Sequence, residues 1–582
     1  MKKLLLFTIL LLLAALTAGA VPARRGIIVR TQPDGTTIQT RLWGDEFGHW
    51  VTDAAGNLLE QDEAGWWRPA PSSASLPAIR RRASVRRNAA NVQRVRTRSS
   101  ENLGSPRIPV LLIGFKDQAF TKTAAQFDAM LNQEGYSDNQ GKGSVLDYYR
   151  DNSFGRFTPR FEVLGPVTLS SNISYYGANN SAGDDIRPEM ALVHAAKILD
   201  ASVDFSRYDN DGDGRVDFIL FYFAGHDEAQ GASRNSIWSH AWNVPDTTRY
   251  DGVMLDAYFC TSELLDASGS TMCRIGTTCH EFAHTLGLPD FYDADYEDNG
   301  EAAGTYYFDL MSEGSYNDDS ATPPYLNAEE LLEVGWLDEI PPLSAVGSYA
   351  LPALNGPDAT GYSAYRMDTD TEGEYFVFEV RGGQAWDAPL PEGMTVCHVD
   401  RSARRVQGRV TAAQTWDENT VNNYASHPCC YIVPSVAPAS TALYEDYLDF
   451  PGNLVFPGLG QVESYLPLCW SGEEAAFRLA GIRYAGRTAR FELRPSRTME
   501  ETGFNYILDP KGGEYAAGDL FSLDLCSAEG AKKPAAAVTW YFDGEPVSET
   551  SVLLTAGSHK VEAEFMTSAG TRKRVELELS VR

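Results

Sequence analysis

Hydrophobic and polar positions change their spacing several times along the chain, and each spacing predicts an element. From residue 21 to about residue 78 they alternate around the turn signals Pro33-Asp34-Gly35 and Ala54-Ala55-Gly56-Asn57, as in a small antiparallel sheet. Pro109 to Phe115 and Phe218 to Phe223 are unbroken apolar runs of strand length, which suits strands covered on both faces. Helical spacing marks Ala124 to Asn132, Ser144 to Asp151 and Met190 to Leu199, while Phe157 to Val167 alternates like strands. A further helix is expected around Ala328 to Val334. Alternation with frequent turns returns between residues 345 and 495 and predicts a β-sandwich or jelly-roll-like domain. The final stretches Val538 to Val547, Leu553 to Phe565 and Lys573 to Val581 make an immunoglobulin-like pattern.

One helix candidate carries chemistry. In His280-Glu281-Phe282-Ala283-His284-Thr285-Leu286-Gly287-Leu288-Pro289-Asp290, the two histidines lie four apart and share a helix face, where they can grip one metal ion. Glu281 projects beside the same ion, placed to take a proton from attacking water. Gly287 allows a sharp backbone turn after the helix, which brings Asp290 back as a third ligand. Peptidases of another type use a glutamate further on, so Glu297, Glu301 and Glu313 compete with Asp290; the interval from Gly287 favours Asp290. Tyr307 to Ser312 looks like the methionine turn that underlies the metal in metzincins, with Met311 as its methionine. The set points to zinc hydrolysis, against a structural metal site or a dead enzyme.

With these residues the chain resembles the immune inhibitor A-like secreted zinc metallopeptidases of bacteria. The resemblance is carried by His280, Glu281, His284, Gly287 and Asp290, the last standing where metzincins more often have a third histidine. Flanking stretches, among them residues 108–115, 144–155, 237–242, 326–337, 374–381 and 390–400, extend it over about residues 105 to 495. It implies an α+β metzincin-like zinc peptidase domain that cleaves protein or peptide substrates, with Zn²⁺ on His280, His284 and Asp290 and Glu281 as the proton-transferring base. Related enzymes often steady the oxyanion with a tyrosine, and Tyr316 is the nearest candidate after Met311. Two other readings stay open: a catalytically silent or narrow-specificity surface binding protein on a peptidase scaffold, and a zinc hydrolase acting on glycans or peptidoglycan. The intact Glu281 argues against a silent scaffold.

Composition adds the setting. The chain of 582 residues exceeds a single core and implies roughly three to five domains. A net charge of −30 disfavours nucleic acid as a partner, because phosphates are repelled. Met1-Lys2-Lys3, an apolar run from Leu4 to Leu16 and the small residues Ala18-Gly19-Ala20 read as a signal peptide, residues 1–20, and predict secretion or an extracytoplasmic location. No second long apolar stretch follows, so no transmembrane segment is expected after signal removal. Ile79 to Arg98 holds eight arginines and no acidic residue, and reads as a solvated linker open to a trypsin-like activating protease. The expected layout is then a signal peptide (1–20), a propeptide with its linker (21–104) and a catalytic domain (105–340). A β-sandwich (341–496) and an immunoglobulin-like domain (497–582) follow. Without residues 1–98 the chain carries 34 basic and 72 acidic residues, net −38, so a basic prosegment is complementary to an acidic enzyme and an inhibitory complex is expected. That prosegment has no cysteine, so an acidic or main-chain group, or steric cover, has to block the metal.

A second metal site is suggested by Asp209-Asn210-Asp211-Gly212-Asp213-Gly214-Arg215-Val216-Asp217. Carboxylates at alternate positions with a glycine for the tight turn suit a structural Ca²⁺ held by Asp209, Asp211, Asp213 and Asp217. A polar turn is the alternative. Eight cysteines in an exported chain suggest disulfide staples, with one bridge among Cys260, Cys273 and Cys279. His398 and Asp400 read as a satisfied structural pair rather than another metal site.

Overall fold

The computed structural model describes residues 21–582 apart from 63, 72–75, 77–78, 80–101, 181–182, 184, 245–246, 295–298, 354–363, 409, 497–505, 513, 527–531, 533–537 and 567–571. The expected signal peptide and nearly all of the arginine-rich linker lie outside the described residues. The fold is mixed α/β with several separate sheets. Among the described residues no helix is long and apolar enough to cross a membrane.

At the centre is a five-stranded sheet. Its strands run in the order His240–Asn243, Ala257–Leu264, Ile219–His226, Arg107–Gly114, Arg160–Thr168. All neighbours are parallel except the first pair. The apolar runs seen in the sequence are its middle strands, and their side chains alternate between two cores. Val110, Leu112, Leu220 and Tyr222 face one core, while Leu111, Ile113, Ile219, Phe221 and Phe223 face the other. Both faces are covered, which is why these strands do not alternate with polar residues. The helices predicted at 124–132 and 190–199 are observed as Ala124–Asn132 and Glu189–Leu199, the second packing on the second core.

The helix Ile275–Thr285 lies in the first core, and residues 275 to 284 are all buried. Phe282 anchors it. The ring stacks on Phe259 of the sheet at 4.9 Å and meets Tyr149, Phe161 and Phe218 edge-on. The same core continues past residue 340 into an antiparallel sheet of Ala364–Asp368, Glu374–Arg381, Gly393–Asp400 and Cys430–Ile432, through Tyr375, Val377 and Val399. These segments belong to one compact unit with the described residues up to Leu343.

The N-terminal alternation forms a five-stranded antiparallel meander between Ile28 and Pro69. Leu42, Val51 and Leu59 from this sheet cluster with Val21, Ala23, Ala229 and Trp238. A second compact unit comprises Ser344–Tyr349, Glu463–Ile482 and Phe491–Arg582. It holds an antiparallel sheet ordered Glu545–Val547, Val538–Phe542, Gly557–Met566, Arg572–Val581.

Candidate metal centre

Three side chains converge at the C-terminal end of the helix Ile275–Thr285. His280 Nε2 lies 3.2 Å from His284 Nε2, and Asp290 Oδ1 lies 3.4 Å from the first and 3.3 Å from the second. All three residues are buried. Asp290 reaches back because Gly287 adopts φ 106°, a left-handed conformation that lets the Leu288 amide bond to the Ala283 carbonyl and reverses the chain.

Hydrogen bonds decide which ring atoms are available. His280 Nδ1 donates to the Leu310 carbonyl at 2.8 Å and His284 Nδ1 to the Leu288 carbonyl at 2.9 Å. A carbonyl only accepts, so the neutral rings carry their protons on Nδ1 and turn bare Nε2 lone pairs toward each other. Asp290 Oδ1 is buried with no hydrogen-bond partner. Two lone pairs and a carboxylate oxygen at such separations repel unless a cation lies between them. Tetrahedral Zn²⁺ with bonds of about 2.0–2.1 Å spaces its ligand atoms roughly 3.3 Å apart, so the donor set fits that ion.

A surrounding layer fixes these ligands. Asn419 Nδ2 donates to Asp290 Oδ2 at 2.8 Å, and the Asp290 amide donates to Asn419 Oδ1 at 2.6 Å. Asn422 and Asn423 grip the same loop at the Phe291 carbonyl and the Ala294 amide. On the other side, Leu310 and Met311 are fully buried, and Asp309 Oδ1 accepts the Met311 amide. The guanidinium of Arg381 donates to the Phe308 and Tyr325 carbonyls while paired with Glu379 and Asp387. Sequence reasoning missed Asn419 and Arg381. The asparagine-dense stretch 419–423 was the only local signal for the first.

Glu281 is buried on the same helix, and burial pushes its carboxyl well above the ordinary range, opposed by a hydrogen bond from the Val21 amide. That bond, Val21 N to Glu281 Oε1, is 2.7 Å long. Trp238 Nε1 donates to the Val21 carbonyl at 3.1 Å, and Tyr316 Oη to the Pro22 carbonyl at 2.7 Å. Tyr316 therefore holds main chain beside Glu281.

The other expectations divide. Glu301 and Glu313 face Arg25 rather than the histidines, and Glu297 lies outside the described residues. Asp209, Asp211 and Asp213 gather into a potential cation site. Asp217 is not in that group; its carboxylate accepts the Asn210 amide, and burial pushes it up to about 6. The expected bridge near the site helix is not formed, and all eight cysteines are free. Cys260 faces one core of the central sheet while Cys273 and Cys279 face the other. Cys397 and Cys430 come within 3.6 Å on adjacent strands. His398 pairs with Glu374 and Asp400 with His427, so each is satisfied, though not by the other.

Residues 115–327 match the family described as immune inhibitor A peptidase M6, catalytic domain. The pre-pro-metalloprotease PrtV of Vibrio cholerae serotype O1 is 26% identical over 221 residues, covering 32% of this chain and 23% of that protein. Immune inhibitor A of Bacillus thuringiensis subsp. alesti is 28% identical over 200 residues, covering 29% and 28%. The chain thus spans about a quarter of the length of the curated relatives it matches. Wild-type OgpA from Akkermansia muciniphila aligns over 82% of this chain and 94% of its own at 10% identity, with a TM-score of 0.23. Over residues 115–327, with the His280–His284–Asp290 cluster inside them, the chain matches the immune inhibitor A peptidase M6 catalytic domain, the family resemblance that its motif carries.

Proposed function

We propose that this chain is an exported zinc-dependent endopeptidase, made as a zymogen, with a metzincin-type catalytic domain followed by β-sandwich and immunoglobulin-like domains. The observation that carries the reading is the facing pair of bare Nε2 atoms with the unpartnered Asp290 oxygen, 3.2 to 3.4 Å apart, on the helix that also bears Glu281. The metalloprotease named among the relatives supports it.

When bound by His280, His284 and Asp290, Zn²⁺ supplies Lewis acidity that polarises the scissile carbonyl and acidifies water. Glu281 takes the proton from the attacking water and passes it to the leaving amine. The Val21 amide marks where that amine sits, at 2.7 Å from Glu281 Oε1. Trp238 and Tyr316 then orient the chain that follows the cut bond through its first two carbonyls.

The same contacts support latency, because Val21, buried with Pro22 and Ala23, bonds to the base that turnover needs. With the signal peptide removed after Ala20, the Val21 nitrogen becomes an α-ammonium facing the Glu281 carboxylate, a stronger block than an amide. A structural Ca²⁺ on Asp209, Asp211 and Asp213 belongs to the same reading.

The test is casein hydrolysis by the zinc-loaded chain before and after trypsin, beside Glu281→Ala and a chelated sample. We expect activity only in the treated wild type. Undiminished activity of Glu281→Ala removes the assigned base, equal activity before and after trypsin removes latency, and none in the treated, zinc-loaded wild type favours a binding scaffold.

A further inference from the structure

Resting on the peptidase reading, we propose that the acidic pocket formed by Glu301, Glu313 and Tyr444 is a substrate subsite that takes an arginine at the fifth residue after the cleaved bond.

The register follows from the prosegment. The Val21 nitrogen at Glu281 stands where a leaving amine stands, so Val21 is the first residue past the cut and Arg25 the fifth. The path between them is held mostly from outside the prosegment, with the Ala23 amide donating at 2.7 Å to the carbonyl of Gly44 in the prosegment's own sheet. Trp238 and Tyr316 bind the Val21 and Pro22 carbonyls, and the Arg24 amide donates to the Ala229 carbonyl at 2.9 Å.

Arg25 then turns into a pocket whose walls include Tyr292, Asp293, Glu301, Ser312, Glu313 and Tyr444, leaving about 10 Å³ of free space. Its Nη1 is 3.7 Å from Glu301 Oε1 and its Nε 3.5 Å from Glu313 Oε1, with the guanidinium carbon 4.7 Å from the centre of the Tyr444 ring. The guanidinium side chain is 12% exposed and both carboxylate side chains are 6% exposed.

Both carboxylates are also held by groups outside the prosegment. Glu301 accepts the Leu443 and Tyr444 amides at 2.7 and 3.2 Å, and Glu313 accepts the Ser312 hydroxyl at 2.6 Å. Glu313 opens the short 3₁₀ turn Glu313–Tyr316 that follows Met311, so the pocket and the candidate metal centre share one wall. Two carboxylates held this deeply repel each other and lose water, so their arrangement favours a cation between them. A planar guanidinium that also stacks on Tyr444 fits better than an ammonium. Trp43, 5.5 Å from Arg25, is the prosegment's contribution; it leaves with the prosegment and opens the pocket to substrate.

The experiment uses the zinc-loaded full chain after trypsin treatment and quenching with a trypsin inhibitor. Internally quenched peptides carry Val-Pro-Ala-Arg-Xaa after the scissile bond, with arginine, its neutral isostere citrulline, lysine or alanine as Xaa. We expect kcat/KM for arginine to exceed that for citrulline by on the order of 10- to 100-fold, the range of a buried charge-assisted contact, with lysine between them. In Glu313→Gln and Glu301→Gln the arginine-to-citrulline ratio should fall toward one. Cleavage of all peptides at equal rates overturns the subsite and leaves the peptidase reading standing. If none is cleaved, anisotropy of labelled Val-Pro-Ala-Arg-Arg and its citrulline counterpart on the same sample decides. Tighter arginine binding supports the pocket without turnover, and equal binding overturns it.

Discussion

Replacing Asn419 tests whether the grip on Asp290 is needed for metal binding. The side chain is 1% exposed and makes two reciprocal bonds, Nδ2 to Asp290 Oδ2 at 2.8 Å and Oδ1 from the Asp290 amide at 2.6 Å. The first is assisted by the carboxylate charge and contributes about 1.5–3 kcal/mol; the second contributes about 0.5–1.5 kcal/mol. Loss of both leaves Asp290 free to swing from the two Nε2 atoms. Partners of this kind typically alter metal affinity by about 10- to 100-fold. Asn419 also sits at φ 50°, so alanine adds backbone strain of about 1–2 kcal/mol. Asn419→Gly removes the side chain without that strain and is the informative variant. Asn419→Asp keeps the acceptor for the amide but sets a carboxylate against Asp290. The assay is zinc affinity by chelator competition, beside thermal unfolding of the metal-free protein. We expect both variants to bind zinc about 10- to 100-fold more weakly, with Asn419→Asp the weaker. Wild-type zinc affinity in Asn419→Gly would refute the reasoning, whatever its thermal midpoint.

Other perturbations have defined outcomes. In the untreated full chain, Arg25→Ala removes both acidic contacts and should raise casein hydrolysis before trypsin by roughly 10-fold or more, with Arg25→Lys intermediate; an unchanged ratio of untreated to treated activity counts against Arg25 as an anchor. Calcium at about a hundredfold over its Kd should stabilise the protein by about 2.7 kcal/mol, an effect lost in Asp211→Ala; equal thermal midpoints in calcium and in chelator exclude the site. Burial draws the His240 imidazole down to about 4, so the unfolded chain takes up this proton first as pH falls. Its stabilising contribution is complete above about pH 6.5 and is lost toward pH 4, a swing on the order of 3 kcal/mol. Asp227, pushed up to about 6 by burial, acts in the opposite sense but cancels between variants. Stability of His240→Gln should therefore fall less steeply between pH 6.5 and 4, and parallel curves would contradict this.

What could be seen in the sequence is what the chain encodes at short range. His280, His284 and Asp290 lie within eleven residues, and helical periodicity followed by one glycine turn suffices to bring them together. The middle strands of the central sheet were legible for a similar reason, since burial on both faces removes polar positions from the run itself. Contacts that depend on topology left no such trace. Asn419 is 129 residues from Asp290 and Val21 is 260 from Glu281. Each meets its partner only because the segments between them fold as they do. The cysteines show the converse. Cys260 and Cys273 are near in sequence, but a strand alternates its faces, and the central sheet separates their thiols. Net charge gives the expectation that a basic prosegment is complementary to an acidic enzyme, and nearly all of its arginine-rich run lies outside the described residues. Among the described residues the contacts include the ion pairs of Arg24 with Asp319, Arg25 with Glu301 and Glu313, and Arg41 with Glu445. Attraction summed over a domain favours encounter, whereas these pairs fix the register that lays Val21 against Glu281. Under the proposed latency, a prosegment with the same net charge but with Arg24 and Arg25 moved elsewhere would still be drawn to the enzyme, without the alignment that lays Val21 against Glu281.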